Sequence, residues 1–378
     1  MNTYDKINMI APNVSKVFYY SFQGNNTFVR TGTIGDGSCL FHSLLYAYST
    51  EKYKNMDDSQ KSQLVKRLRE NLSSKINKDT WRSLNKGIIS MISAQEFINQ
   101  IFSDLYEYSN KINNETSASN IKYKSIAKNI YNKLNRDEKS KKIFSFLLQA
   151  IKIDDILSGD GIVEIASRDC SDLIKYRKKI VKAAEDKIHK ILHKKLNKDK
   201  YEYFNNLFIR MVKLVFDYSE NAAYKSYKVS LENNEMYIDH THTDLISDKF
   251  DLDIYFIDSN TRLPYLSGFD KSTYKKRKSV IVLWINNSHY EIIGKVYDKN
   301  KVQRLFEPDD PIIELLYDFY CNQKKFCKEN PQYINLLPKH MKNKILEESR
   351  DALSDIESVD ESDNDSVRSD KFYSSDNE

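Results

Sequence analysis

Glycine and proline are scarce in this chain, at 9 and 6 among 378 residues. That excludes collagen-like repeats, Pro-rich spacers and Gly-rich low-complexity segments. Cysteine is as sparse. Cys39, Cys170, Cys321 and Cys327 match neither a disulfide framework nor a paired Cys-x-x-Cys zinc site. Reduced thiols in a cytosolic compartment are the simplest reading, so a cytoplasmic location is expected. Long apolar runs are absent: the longest, 280–285, has six residues. A membrane-spanning helix needs about 20, so no membrane partner is expected. The first residues (Met1, Asn2, Thr3, Tyr4, Asp5, Lys6) lack the basic-then-apolar pattern of a secretory signal.

What is present fits a globular chain with a tail. Hydrophobic residues make up 40%, enough for a sizeable core, and charged residues 30%, enough for a well-solvated surface. The net charge of +5 hides an asymmetry: from residue 347 to the end, twelve acidic residues face three basic ones, so this stretch carries −9 and the rest +14. A basic body with an acidic tail admits nucleic-acid contact, electrostatic self-masking, or no specific role.

Periodicity divides the chain. Residues 1–26 form a lead-in and 27–80 the first part of a core. There, a β-like Thr27-Phe28-Val29-Arg30 leads through a Gly-rich turn, 32–37, into an apolar run beginning at Cys39, read as a buried helix. A second helix follows, capped by Asp57 or Asp58, with Leu64, Val65, Leu68, Leu72 and Ile76 on one face. Residues 81–228 form a Lys/Asn-rich insertion without proline, which favours long helices. Tyr123, Ile126, Ile130 and Leu134 repeat at helical spacing, as do Ile174, Ile180, Ala184, Ile188 and Leu192. Residues 229–320 return to α/β patterning: a short helix over 241–249, strands over 253–257, 280–284 and 290–293, and one more over 302–306. Residues 321–348 read as a C-terminal helical segment. Residues 349–378, rich in Ser, Asp and Glu, bury too little apolar surface to offset chain entropy and read as a disordered acidic tail. Ser354, Ser358, Ser362 and Ser366 lie among its carboxylates. The expected fold is α/β (α+β), with a small mixed sheet flanked by helices.

The residues with chemical potential start at Gly35-Asp36-Gly37-Ser38-Cys39. A cysteine where a glycine-rich loop becomes a helix meets the positive potential of unpaired N–H groups, which favours its thiolate. Backbone N–H groups of Gly37, Ser38 and Cys39 are then placed to hold a developing oxyanion. The competing reading is a buried core cysteine. A thiolate catalyst needs a base, and there are seven histidines. His42 shares the nucleophile's rigid helix and is better suited to packing or capping. His189 and His193 lie one turn apart without a third metal ligand. His240 and His242, beside Asp239 and Asp244, read as a helix-start capping segment rather than a zinc site. His340 lacks context. His289 has the strongest setting: it follows a buried strand and a turn and opens the next strand, with Glu291 two residues on and facing the same way. A carboxylate there orients an imidazole; a solvent-facing His/Glu pair on an edge strand is the alternative.

Together these motifs resemble the ovarian-tumour (OTU) family of cysteine proteases. The family's Asp-Gly-x-Cys followed by Leu, an aromatic and a basic residue is met by Asp36-Gly37-Ser38-Cys39-Leu40-Phe41-His42. Its closing apolar strand with His-aromatic-acid is met by Val280-Ile281-Val282-Leu283-Trp284 and His289-Tyr290-Glu291. Met236-Tyr237-Ile238-Asp239 holds the place of an intermediate segment, without the family's Trp-Gly. The similarity covers about 27–76 and 231–306. It implies a papain-type core with Cys39 as nucleophile, His289 as base, Glu291 as the orienting third member and Asp36 as the residue shaping the loop. It also implies hydrolysis at the C-terminus of ubiquitin or a ubiquitin-like modifier, with conjugates of these as partners and no metal or organic cofactor. Ubiquitin's tail carries arginines, so Asp239 and Asp244 are candidates for its approach. The large Lys/Asn-rich insertion is similar to OTU-like proteins of large DNA viruses, which implies host cytoplasm and admits virion association. The rival classes are a non-catalytic ubiquitin-binding or virion-associated scaffold, and nucleic-acid contact through Lys175, Arg177, Lys178, Lys179, Lys182, Lys187, Lys190, Lys194 and Lys195. The sparse aromatics there favour a solvated helix face.

Overall fold

A computed structural model describes residues 7–109, 121–135, 138–168, 170, 172–265, 273–286, 288–298, 301–337, 339 and 341–343. The acidic tail and His340 lie outside the described residues. A six-stranded mixed sheet runs in the order β1 (Ser15–Phe18), β2 (Thr27–Thr31), β5 (His289–Asp298), β4 (Ser279–Ile285), β3 (Asp253–Asp258), with β6 (Lys301–Gln303) also paired to β5. The β3–β4 pair is parallel and the others antiparallel.

Helices α1 (Cys39–Tyr48), α2 (Thr50–Lys54) and α3 (Asp58–Lys75) follow β2. Next come α4 (Lys78–Ser83), α5 (Ile88–Ser109), α6 (Ile121–Leu134), α7 (Glu138–Ala150), α8 (Ile153–Leu157), α9 (Ile162–Ser167), α10 (Leu173–Leu192) and the 35-residue α11 (Lys198–Glu232). Helix α12 (Thr243–Phe250) precedes β3, and α13 (Pro311–Cys321), α14 (Gln323–Glu329) and α15 (Pro331–Ile334) follow β6.

Period-two alternation explains the layers. Ile254, Phe256, Val280, Val282, Tyr290 and Ile292 face one cluster, with α1 and the inserted helices. Tyr255, Ile257, Ile281, Leu283, Ile285 and Ile293 face the other, with α13 and α14. The central strands are covered on both faces, so they read as continuous apolar runs. Helix α3 begins with a capping box, Asp57 accepting from Gln60 N–H at 2.8 Å while Gln60 Oε1 accepts from Asp57 N–H at 3.1 Å. Helices α10 and α11 begin with Asp172 and Asn197 caps.

Three expectations need correcting. Ile174 is 63% exposed; Leu173 and Tyr176 take its place on the buried face, because the stripe is set by Ile180, Ala184 and Ile188 one turn at a time. The strand expected over 302–306 is only Lys301–Gln303, with Phe306 held by a separate bridge to Ser279. The lead-in contains β1, whose exposed Val17 hides the strand pattern.

The inserted helices share one apolar cluster with α1 and the sheet. Trp81 in α4 packs on Tyr224 of α11, whereas Trp284 is in β4. The two tryptophans therefore report one cooperative unit. We expect Trp81→Phe and Trp284→Phe proteins, each followed by its remaining tryptophan in urea, to give superimposable transitions. Separated midpoints would mean that insertion and sheet unfold independently.

Candidate active site

Cys39 is the first residue of α1, following Ser38 at the N-cap position. The backbone N–H of Tyr290, with those of Leu40 and Cys39 itself, lies close enough to the sulfur to favour its thiolate. The thiol therefore meets β5 one residue beyond His289, joining motif halves 250 residues apart in sequence (39 to 289). Gly35 lies beside the imidazole: a Cβ there would stand 3.9 Å from His289 Cε1 and Nδ1, and 3.6 Å from Met9 Cε.

The site is closed. Cys39 is 1% and His289 2% exposed. Burial, reinforced by the Asp36 carboxylate, pushes the Cys39 thiol up to about 12, outweighing the N–H groups that favour the thiolate. That corrects the expectation drawn from the helix N-terminus: its field is present, but desolvation is larger. Burial and then His42 depress the His289 imidazole to about 4. Both groups are neutral at pH 7. His289 Nε2 is buried without a hydrogen-bond partner among the described residues.

Asp36 shapes the loop. It accepts from Ser38 N–H at 3.0 Å, from His42 Nε2 at 3.0 Å and from Ser62 Oγ at 3.3 Å. Although burial opposes ionisation, the bonds from His42, Ser38 and Ser62 hold its carboxyl below the usual range. His42 is buried, and its Nδ1 meets the Tyr53 hydroxyl. It braces the loop, in keeping with its place on the helix that Cys39 opens.

Two expected roles change. Glu291 does not orient His289. Its Oε1 accepts from Ile10 N–H at 2.9 Å and its Oε2 from Arg30 Nη1 at 3.1 Å, and no hydrogen bond joins it to the imidazole among the described residues. The carboxylate instead ties β5 to β2 and to the segment before β1. The Ser38 N–H is already donated to Asp36, which removes it from the expected oxyanion set of Gly37, Ser38 and Cys39. Gly37 adopts φ +79°, and a Cβ there would lie 2.9 Å from Glu235 O, so glycine is required.

Other residues sort clearly. Both oxygens of Asp244 are engaged, by Asn85 N–H at 2.7 Å and Thr273 Oγ1 at 2.5 Å, so it is not free for a substrate. Asp239 is held well below the carboxylate range: burial opposes this, but His242 and Thr241 outweigh it. Its charge acts on Tyr237 and Tyr290, which stack at 5.5 Å near the thiol. His242 is a satisfied core histidine, 2.9 Å from Ser230 Oγ and 3.1 Å from Asp239. The His189 and His193 rings lie 4.3 Å apart, tilted, and Tyr201 meets both edge to face; no cluster of three or more His, Cys, Asp or Glu side chains suited to a metal occurs among the described residues.

Sequence reading missed Arg69. The α3 face was assigned to Leu64, Val65, Leu68, Leu72 and Ile76, yet Arg69 is fully buried while Leu64 and Leu68 are half-buried. The available signal was phase: Arg69 falls four residues after Val65 and three before Leu72. Its Nη1 donates to Ser38 Oγ at 2.6 Å and Gly37 O at 3.5 Å. Its Nε donates to Leu231 O at 2.8 Å, and Nη2 reaches Ser230 O, Asn233 O and Met236 O at 2.6, 2.5 and 2.9 Å.

Comparisons of the chain with protein-family models, with curated proteins and with solved structures found no match.

Two outcomes follow from the closed site. In peptide-resolved alkylation at neutral pH, Cys39 should react more slowly than the partly exposed Cys321 and Cys327, and the difference should vanish in denaturant. Rapid labelling of native Cys39 would contradict its burial. Because His289 titrates lower folded than unfolded, the unfolded chain binds more protons between those values. Its stabilising contribution is full above about 6.5, the unfolded value, and is lost as pH falls toward about 4. His289→Gln should flatten the fall in melting temperature across that window; an unchanged slope would contradict the assignment.

Proposed function

We propose that the chain is an OTU-like cysteine protease that cleaves peptide or isopeptide bonds at the C-terminus of ubiquitin or a ubiquitin-like modifier. The observation that carries this reading is the meeting of the Cys39 loop with His289: Gly35 lies beside the imidazole, and α1, which opens at Cys39, packs on β5, which opens at His289. A helix-start cysteine and a strand-start histidine from distant motifs share one site. The sheet flanked by helices on both faces suits a papain-type core.

On this reading, substrate binding moves the segments that cover the thiol and imidazole. The Cys39 proton passes to His289, and the sulfur attacks the carbonyl carbon of the modifier's terminal glycine. The C–N bond breaks as His289 returns the proton to the leaving lysine amine. Water, deprotonated by His289, then cleaves the thioester and restores the thiol. The N–H groups of Gly37 and Cys39 serve the oxyanion, and Asp36 holds the loop through His42 and Ser38. His289 has no carboxylate partner among the described residues, so packing orients it in the closed state. No step requires a metal or organic cofactor. Asp239 offers negative charge for a basic substrate tail.

The basic insertion is less suited to nucleic acid than its lysine content suggests. Lys175, Arg177, Lys182 and Lys187 pair with Asp172, Asp217, Asp186 and Asp155. A scaffold role through these helices has no separate observation in its favour.

Ubiquitin carrying a C-terminal electrophile should form a covalent adduct with the native protein. The adduct should be absent with Cys39→Ala, and its formation should slow by about 100-fold or more with His289→Ala. Absence of adduct with folded native protein would sink the ubiquitin-directed reading.

A further inference from the structure

Asp36 in the loop, Arg69 on α3, Tyr237 after α11 and Tyr290 on β5 act electrostatically on Cys39, with His42 on α1 bonded to Asp36 and His289 next to Tyr290 on β5. Of these, Arg69 has no role in the mechanism above. All three of its guanidinium nitrogens donate to protein oxygens, and every acceptor is neutral: five carbonyls and the Ser38 hydroxyl. No carboxylate lies within ion-pair distance of it among the described residues. A fully buried cation without a counter-ion is costly. A neutral side chain would join two loops without that cost. The charge is held one residue from the thiol, and its field extends to both Cys39 and Asp36.

The arrangement is also directional. The two acceptors on Nη1 belong to Gly37 and Ser38, immediately before Cys39. The other four belong to the end of α11 and the turn after it, where Ile238 N–H returns to Gly37 O at 3.1 Å. Ser38 Oγ itself donates to Asn234 O at 3.3 Å.

We infer that Arg69 is a positioning residue for Cys39: its guanidinium fixes the Gly37–Ser38 loop against the end of α11 and keeps a positive charge beside the sulfur when the site opens. The inference rests on Cys39 being the nucleophile. Through Arg69 the long inserted helix sets both the aim and the charge environment of the thiol, so a change at the end of α11 reaches the site without touching substrate.

The test uses the full chain and two readouts. The first is the alkylation rate of Cys39 by iodoacetamide at a fixed, mildly alkaline pH, below the thiol midpoint, where rate follows the thiolate fraction. The second is the rate of labelling by ubiquitin with a C-terminal electrophile. Arg69→Gln should slow alkylation about tenfold, which corresponds to a rise of about one unit in the thiol midpoint. Arg69→Lys, which keeps the charge but not the planar fork, should restore alkylation and remain slow in ubiquitin labelling. Ser38→Ala cuts the bridge to the loop and should slow ubiquitin labelling while leaving the alkylation rate unchanged. Ser73→Ala, on the same α3–α11 seam but with its hydroxyl bonded to Lys228 O alone among the described residues, should leave both rates at the native value. Alkylation of a folded Arg69→Gln protein that is as fast as native, or faster, overturns the inference. If Arg69→Gln does not fold, native ubiquitin-labelling rates in both Arg69→Lys and Ser38→Ala overturn it. Alkylation needs no ubiquitin, so a native protein that ignores the ubiquitin probe yet shows the Arg69 effect on alkylation refutes the ubiquitin reading alone.

Discussion

The buried guanidinium of Arg69 is the contact on which the closed site depends. It gathers carbonyls from the end of α11 and from the loop that carries Cys39, joining the two segments through one donor group; of these acceptors, Gly37 O and Asn233 O also take a backbone N–H. An unsatisfied buried carbonyl costs about 1–3 kcal/mol, and hydrogen bonds to a charged donor contribute about 1.5–3 kcal/mol each. Against a folding free energy of about 5–15 kcal/mol, this single side chain weighs heavily. Burial lowers its own ionisation to about 10, which leaves it charged at neutral pH.

Closure follows from the same packing. The carbonyls of Asn234 and Glu235 press on Gly37, and Tyr237 stacks on Tyr290 over the thiol. Burial then governs the chemistry: it raises the thiol and lowers the imidazole, so the resting pair is neutral. Water or substrate must enter before a thiolate can form. A thiol kept in this state is protected from adventitious oxidation. The Arg30–Glu291 pair holds the other side, where the segment before β1 brings Met9 beside Gly35 and His289.

The elements nearest the thiol were legible in the sequence because their signals are local. The apolar run that begins at Cys39 is a helix, to Tyr48, Asp57 caps α3, and β4 and β5 fall where apolar runs and a turn place them. Partnerships between side chains were not legible. Glu291 has the right spacing to face His289, yet Arg30 and Ile10, 261 and 281 residues away in sequence, claim its oxygens first. Arg69 was passed over because a cation in an amphipathic helix is ordinarily solvated; four of its five carbonyl partners lie more than 160 residues further along the chain. The thiol's ionisation was misjudged for a related reason. A helix N-terminus is visible in sequence, whereas the depth at which the rest of the chain buries it is not.

The central claim is that Cys39 and His289 form a working thiol–imidazole pair for the ubiquitin C-terminus once the site opens. Steady-state release of a fluorophore from a ubiquitin C-terminal amide tests it most directly, because turnover requires attack, proton return and thioester hydrolysis in sequence. The account predicts catalytic turnover by the native chain and none above background in Cys39→Ala or His289→Ala proteins that melt as the native one does. Native protein without turnover, or turnover that survives either substitution, would contradict it.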